Sequence, residues 1–121
     1  MKIRIKRNSI RYRLTKTEVE TFCSSGYFEE TTDFGTKKFT YALKAKEGID
    51  TLDAEFKGDA ITLFLDKEKS KDWYKTNQVG FNQIVRKTSG TTLTLLIEKD
   101  FVCMDETIED QSDKYPNPKM L

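Results

Sequence analysis

The sequence contains no histidine and only two cysteines, Cys23 and Cys103. The first absence excludes imidazole acid–base catalysis and, with so few thiols, the common zinc sites. The cysteines are too far apart to form a redox pair. They read as two buried apolar thiols in a reducing compartment. Only two prolines occur, Pro116 and Pro118, and the tail that carries them cannot easily join a sheet. Glycine is scarce, at six residues, and no glycine-rich phosphate loop is present. No apolar run reaches membrane-spanning length. The basic start is followed by no apolar segment of the secretory kind, so the cytoplasm is the expected compartment. Net charge is nearly absent at +1, which gives no bulk electrostatic case for nucleic acid or a membrane.

What remains is a chain of 121 residues, long enough for one domain with its own core. Charged residues make up 34%, yet the aromatic content of 12% argues against disorder. The charge is unevenly placed. Residues 1–16 carry seven cations and no acid, whereas residues 104–121 carry five acids and two lysines.

Alternation sets the elements. Ile3 and Ile5, then Ile10, Tyr12 and Leu14, alternate with Lys2, Arg4, Lys6, Arg11 and Arg13 around Arg7-Asn8, which predicts a hairpin. Thr15-Lys16-Thr17-Glu18 is a capping box, with Val19, Phe22 and Cys23 at helical spacing and Gly26 to end the helix. Strands follow from Tyr27 and through Phe39, Tyr41 and Leu43. Leu52, Ala54 and Phe56 turn at Gly58-Asp59 and return as Ile61, Leu63 and Leu65. Asp66 caps a short polar helix bearing Trp73 and Tyr74. Val79 to Arg86 and Thr92 to Lys99 are the last strands. Ile3, Ile5, Ile10, Tyr12, Leu14, Phe56, Ile61, Leu63 and Leu65 are expected to bury together with Phe22 and Trp73.

The halves match. A shift of 51 places Ile3, Ile5, Ile10, Tyr12 and Leu14 on Ala54, Phe56, Ile61, Leu63 and Leu65, Arg7-Asn8 on Gly58-Asp59, Thr15 on Asp66 and Phe22 on Trp73. With one inserted residue, Tyr41 and Leu43 fall on Leu93 and Leu95. The expected fold is α+β and mostly antiparallel: about eight strands as a duplicated ββαββ unit, repeats 1–47 and 51–100, two short helices and a barrel-like closure. Residues 1–103 form the domain and 104–121 an irregular acidic tail. An open sheet with both helices on one face is the other solution.

The most specific chemical feature is the basic hairpin. Lys2, Arg4, Arg11 and Arg13 on one strand face could cradle an anion, the arginines acting as forks. A solvated outer face is the competing reading. In a closed barrel these cations would meet Asp53, Glu55 and Glu98 across the interior. The acids Asp105, Glu106, Glu109 and Asp110 fit no calcium loop and read as a solvated tail. Trp73-Tyr74 reads as a core anchor. Ser24-Ser25 and Ser89-Gly90 have no base nearby, so no nucleophile is assigned.

Two resemblances follow. A wide duplicated barrel with opposed charges inside resembles the CYTH-like triphosphate-tunnel fold, which implies a phosphohydrolase that holds metal on acids and phosphate on basic residues. Lys2-Ile3-Arg4-Ile5-Lys6 stands where that family has Glu-x-Glu-x-Lys. The opening Met1 to Arg11, the Leu14-Thr15-x-x-Glu18-Val19 cap and the ending Glu109 to Pro118 resemble a family of short uncharacterised bacterial proteins, which implies no activity. The expectation is a small binding module for an anionic ligand, with no catalytic residue, cofactor or metal assigned. A CYTH-like phosphohydrolase is the alternative.

Overall fold

A computed structural model describes residues 1–101, Asp113 and Tyr115. Cys103 and the remainder of the acidic tail lie outside the described residues. The described residues form eight strands: β1 (Lys2–Lys6), β2 (Ser9–Leu14), β3 (Tyr27–Asp33), β4 (Lys38–Lys46), β5 (Leu52–Lys57), β6 (Ala60–Asp66), β7 (Gly80–Arg86) and β8 (Thr92–Lys99). Helix α1 (Lys16–Ser25) joins β2 to β3. The one-turn α2 (Lys67–Ser70) and a 3₁₀ turn (Trp73–Lys75) join β6 to β7. The capping box of α1 forms, with the Glu18 N–H donating to Thr15 Oγ1 and the Thr15 N–H donating to Glu18 Oε1 at 2.8 Å. Asp66 caps α2 by accepting from the Lys69 N–H at 3.2 Å.

The strands build two four-stranded sheets, ordered β1-β2-β8-β7 and β3-β4-β6-β5. The expected α+β class holds, but the sheets are mixed rather than antiparallel, because β2 runs parallel to β8 and β4 parallel to β6. The helices carry the chain from one sheet to the other. Each sheet therefore combines a hairpin from one half with a hairpin from the other, and the inner strands meet side by side in the same direction. Exchanging β1–β4 for β5–β8 converts one order into the other.

Registers refine the match between halves. Tyr12 lies beside Ile97 and Leu63 beside Leu43. Since Tyr12 and Leu63 are counterparts, Leu43 corresponds to Ile97 and not to Leu95. A two-residue slip keeps every side chain on its own face, so alternation alone does not reveal it.

No closed barrel forms. The sheets pack face to face around Tyr12, Leu14, Leu43, Leu63, Leu65, Leu95 and Ile97, with Phe22 and Trp73 over one end. At the two seams, side chains stand in for a backbone ladder. Gln83, the fourth residue of β7, accepts through Oε1 from the backbone N–H groups of Thr51 at 3.0 Å and Leu52 at 2.6 Å. Glu30, the fourth residue of β3, accepts from the Met1 nitrogen at 3.2 Å. An inward polar side chain at equivalent places thus bridges each seam where no backbone ladder forms.

Two members of the expected core are not in it. Ile5 is 54% exposed and Phe56 is 70% exposed, while Ile3 and Ile10 are half-buried. Ile5 and Phe56 point inward, but they lie at the end of the sandwich that no helix covers. Among the described residues, no helix is long and apolar enough to cross a membrane.

Candidate functional site

The cations of the first hairpin do come together. Antiparallel register sets Lys2 directly opposite Arg13 and Arg4 directly opposite Arg11. All four sit on the face of β1–β2 that turns away from the core, because the alternate residues Ile3 and Tyr12 pack inward. They do not line an interior, and Asp53 and Glu55 do not face them. Those acids lie on the outer face of the other sheet, since the alternate residues Leu52 and Ala54 are buried. The expected tunnel of opposed charges is therefore absent: the side chains packed between the sheets are mostly apolar.

Two acids adjoin the basic face. Glu98 on β8 is beside Arg13 in register, and its Oε1 lies 3.5 Å from Arg11 Nε and 3.7 Å from Arg13 Nε. That oxygen is buried and accepts no hydrogen bond, so the attraction is Coulombic only. Asp100 Oδ2 is also buried and lies 3.6 Å from Lys2 Nζ. Arg4 and Lys6 make no ion pair among the described residues. The surface dips into a hollow of 340 Å³ lined by Lys2, Ile3, Arg4, Arg11 and Arg13. An adjoining hollow of 180 Å³ is lined by Arg4, Lys6, Ser9, Arg11 and Leu96.

Titratable groups elsewhere serve structure. Burial lifts the Tyr12 phenol far above its ordinary value; its hydroxyl donates to the Ile61 carbonyl across the sandwich at 3.3 Å. Burial raises the Cys23 thiol, which makes it a poor nucleophile. Burial lowers Lys99, whose ammonium donates to the Thr76 carbonyl at 2.7 Å. Asp53 is lowered: burial alone would raise it, but Lys87 at 2.8 Å and the Ala54 N–H more than offset that. Among the described residues, no group of three Asp, Glu or Cys side chains could hold a metal ion.

Sequence reasoning missed a second concavity. An open cavity of about 450 Å³ lies at the uncovered end of the sandwich, walled by Ile5, Ile10, Ala54, Phe56, Ile61 and Leu93, with Arg7, Asn8, Glu55 and Lys87 at its edge. The signal was present. Ile5 and Phe56 are counterparts in the two halves, at the last inward positions before each turn, where a helix would be needed to cover them.

No curated protein and no solved structure matches the chain. One family model does match, over residues 1–119, and it is described as a family of unknown function, DUF7009. With nearly all of its length covered, the chain belongs to that family.

Proposed function

We propose that this chain is a small cytoplasmic binding module whose basic outer face, Lys2, Arg4, Arg11 and Arg13, takes a polyanionic ligand of the oligophosphate kind. One observation carries the reading: two cation pairs stand directly opposite each other on neighbouring strands. Like charges so placed oppose sheet formation, each pair by a few tenths to about 1 kcal/mol. Glu98 beside Arg11 and Arg13, and Asp100 beside Lys2, offset part of this charge, and Arg4 makes no ion pair among the described residues. An anion bridging the two pairs would remove the repulsion and give the arginines bidentate partners. The same reading takes the matched halves as a duplicated ββαββ unit, supported by the exchangeable strand orders. In that unit the cations of β1 are replaced by Asp53 and Glu55 in β5, so only one copy kept or gained the basic face.

The test is a thermal shift with short-chain polyphosphate and nucleoside triphosphates. A ligand at ten times its Kd stabilises the folded state by about 1.4 kcal/mol, which moves Tm by roughly 3–8 °C at this chain length. The double variant Arg11→Gln/Arg13→Gln should fold and lose the gain, and added salt should erode the gain in the parent. If millimolar polyphosphate leaves Tm unmoved, the face is a solvated surface and nothing more.

A further inference from the structure

The cavity at the open end of the sandwich is a second, chemically different concavity, and Arg7 at its edge is held at a backbone angle that costs the fold free energy. Arg7 has φ 52°, and it is the sole residue other than glycine with a positive φ among the described residues. Its counterpart in the other half is Gly58, with φ 56°. The two hairpin turns thus place a left-handed residue at the same position. One uses the residue that suits it, whereas the other places a long cationic side chain there against steric preference. Strain of this kind persists where a side chain is wanted at that spot.

Arg7 is exposed, makes no ion pair among the described residues and lines the cavity. The other charges at the edge are already engaged. Lys87 Nζ is 2.8 Å from Asp53 Oδ1 and 2.7 Å from the Ala54 carbonyl oxygen, and Glu55 is 3.6 Å from Lys57 Nζ. The Asn8 side-chain amide donates to the Thr92 carbonyl at 3.2 Å. Among the described charges at the edge, Arg7 is the one with no ion pair. Below it, Ile5 and Phe56 leave large apolar areas open to water, which is unfavourable unless something covers them. The volume of about 450 Å³ is within the range of small-molecule sites.

We propose that this cavity binds a small amphiphile with one acidic head, its apolar body between Ile5, Ile10, Phe56 and Leu93 and its carboxylate on the Arg7 guanidinium. The site is separate from the outer basic face and stands or falls independently of it.

The experiment uses three probes of equal chain length below their micellar concentrations: decanoate, decanol and decylammonium. Methyl NMR follows Ile5, Ile10, Ile61 and Leu93. Decanoate should shift these methyls, decanol should bind more weakly, and decylammonium should bind weakest. Arg7→Gly should raise the Tm of the free protein by several degrees, because glycine relieves the turn, yet weaken decanoate roughly tenfold or more through loss of the charge-assisted bond. Phe56→Ser, at an exposed position, should weaken decanoate and decanol alike. Arg11→Gln/Arg13→Gln should change neither. If Arg7→Gly stabilises the protein but decanoate binds as before, the head-group assignment is wrong. Should none of the probes move the methyls, the cavity is not a ligand site. A concentration-dependent dimer that broadens the same methyls would mean that a second copy covers the mouth, which also overturns the proposal.

Discussion

Gln83 is the residue on which the seam between β5 and β7 rests. Its single carbonyl oxygen satisfies two backbone N–H groups, and its amide nitrogen reaches Asp50 Oδ2 at 3.3 Å. Gln83→Leu should therefore cost about 1–3 kcal/mol in a urea melt, because Thr51 and Leu52 are left with unmet donors. A loss under about 0.5 kcal/mol would show that water replaces the amide. Leu63 and Phe56 are both apolar and inward, but burial separates them. Leu63→Ala should cost roughly 2–5 kcal/mol, whereas Phe56→Ala should cost far less, since Phe56 is mostly exposed. Equal losses would contradict the open end. Tyr12 supplies a pH dependence. Its folded-state pKa is raised by burial, with Tyr41 adding and backbone hydrogen bonding opposing. Its contribution to stability is then complete below the ordinary phenol value of about 10 and is lost as pH climbs above that. Stability measured at pH 7 and pH 11 should fall more gently in Tyr12→Phe than in the parent, although the variant starts about 1 kcal/mol lower for want of the bond to Ile61.

Elements were the most legible level. Both hairpin turns, the Thr15 capping box and the Asp66 cap are local signals, set by residues within four of one another, and all form. The short helix read as carrying Trp73 and Tyr74 breaks instead into α2 and a separate 3₁₀ turn, with Lys71 and Asp72 between them. What a single chain does not announce is pairing between distant strands. Parallel neighbours such as β2 and β8 leave no turn between them to read. Glu30 and Gln83 carry no local signal of their role, though each shares the inward face of its strand with Phe28 or Phe81 two residues before. The basic face is legible because charge alternation fixes a face whatever the sheet's partners; the cavity is legible only in part, because Ile5 and Phe56 match at inward positions before each turn but alternation says nothing about which end of a sandwich a helix covers. Gly80 marks another non-local constraint. A Cβ there would lie 2.1 Å from the Ile97 carbonyl oxygen and 2.9 Å from Glu98 Cα, both backbone. Gly80→Ala should push β7 from β8 at its first rung, seen as lost hydrogen-exchange protection at the start of β7 with β3 and β4 unaffected. Protection unchanged there would mean the ladder has slack.

Across the whole molecule, the halves are interlocked rather than adjacent. Both central pairings, β2 with β8 and β4 with β6, cross from one half to the other. Residues 1–47 and 51–121, made as separate fragments, should each lack a cooperative thermal transition and regain one when mixed. A fragment that melts cooperatively by itself would show that a single ββαββ unit is self-sufficient. Sheet order also has a consequence for synthesis. The sheet β3-β4-β6-β5 is drawn from one continuous stretch, residues 27–66, and its strands are all available once Asp66 has left the ribosome. The other sheet must wait, because Ser9 pairs with Thr94 and most of the chain is made in between. The first hairpin to emerge is thus the last to find its place. Throughout that interval it carries an unpaired strand edge, an uncovered row of isoleucines and the densest positive charge in the chain. Repulsion between the basic faces of neighbouring nascent chains would keep those edges from pairing with one another, so the charge that taxes the finished sheet protects the unfinished one.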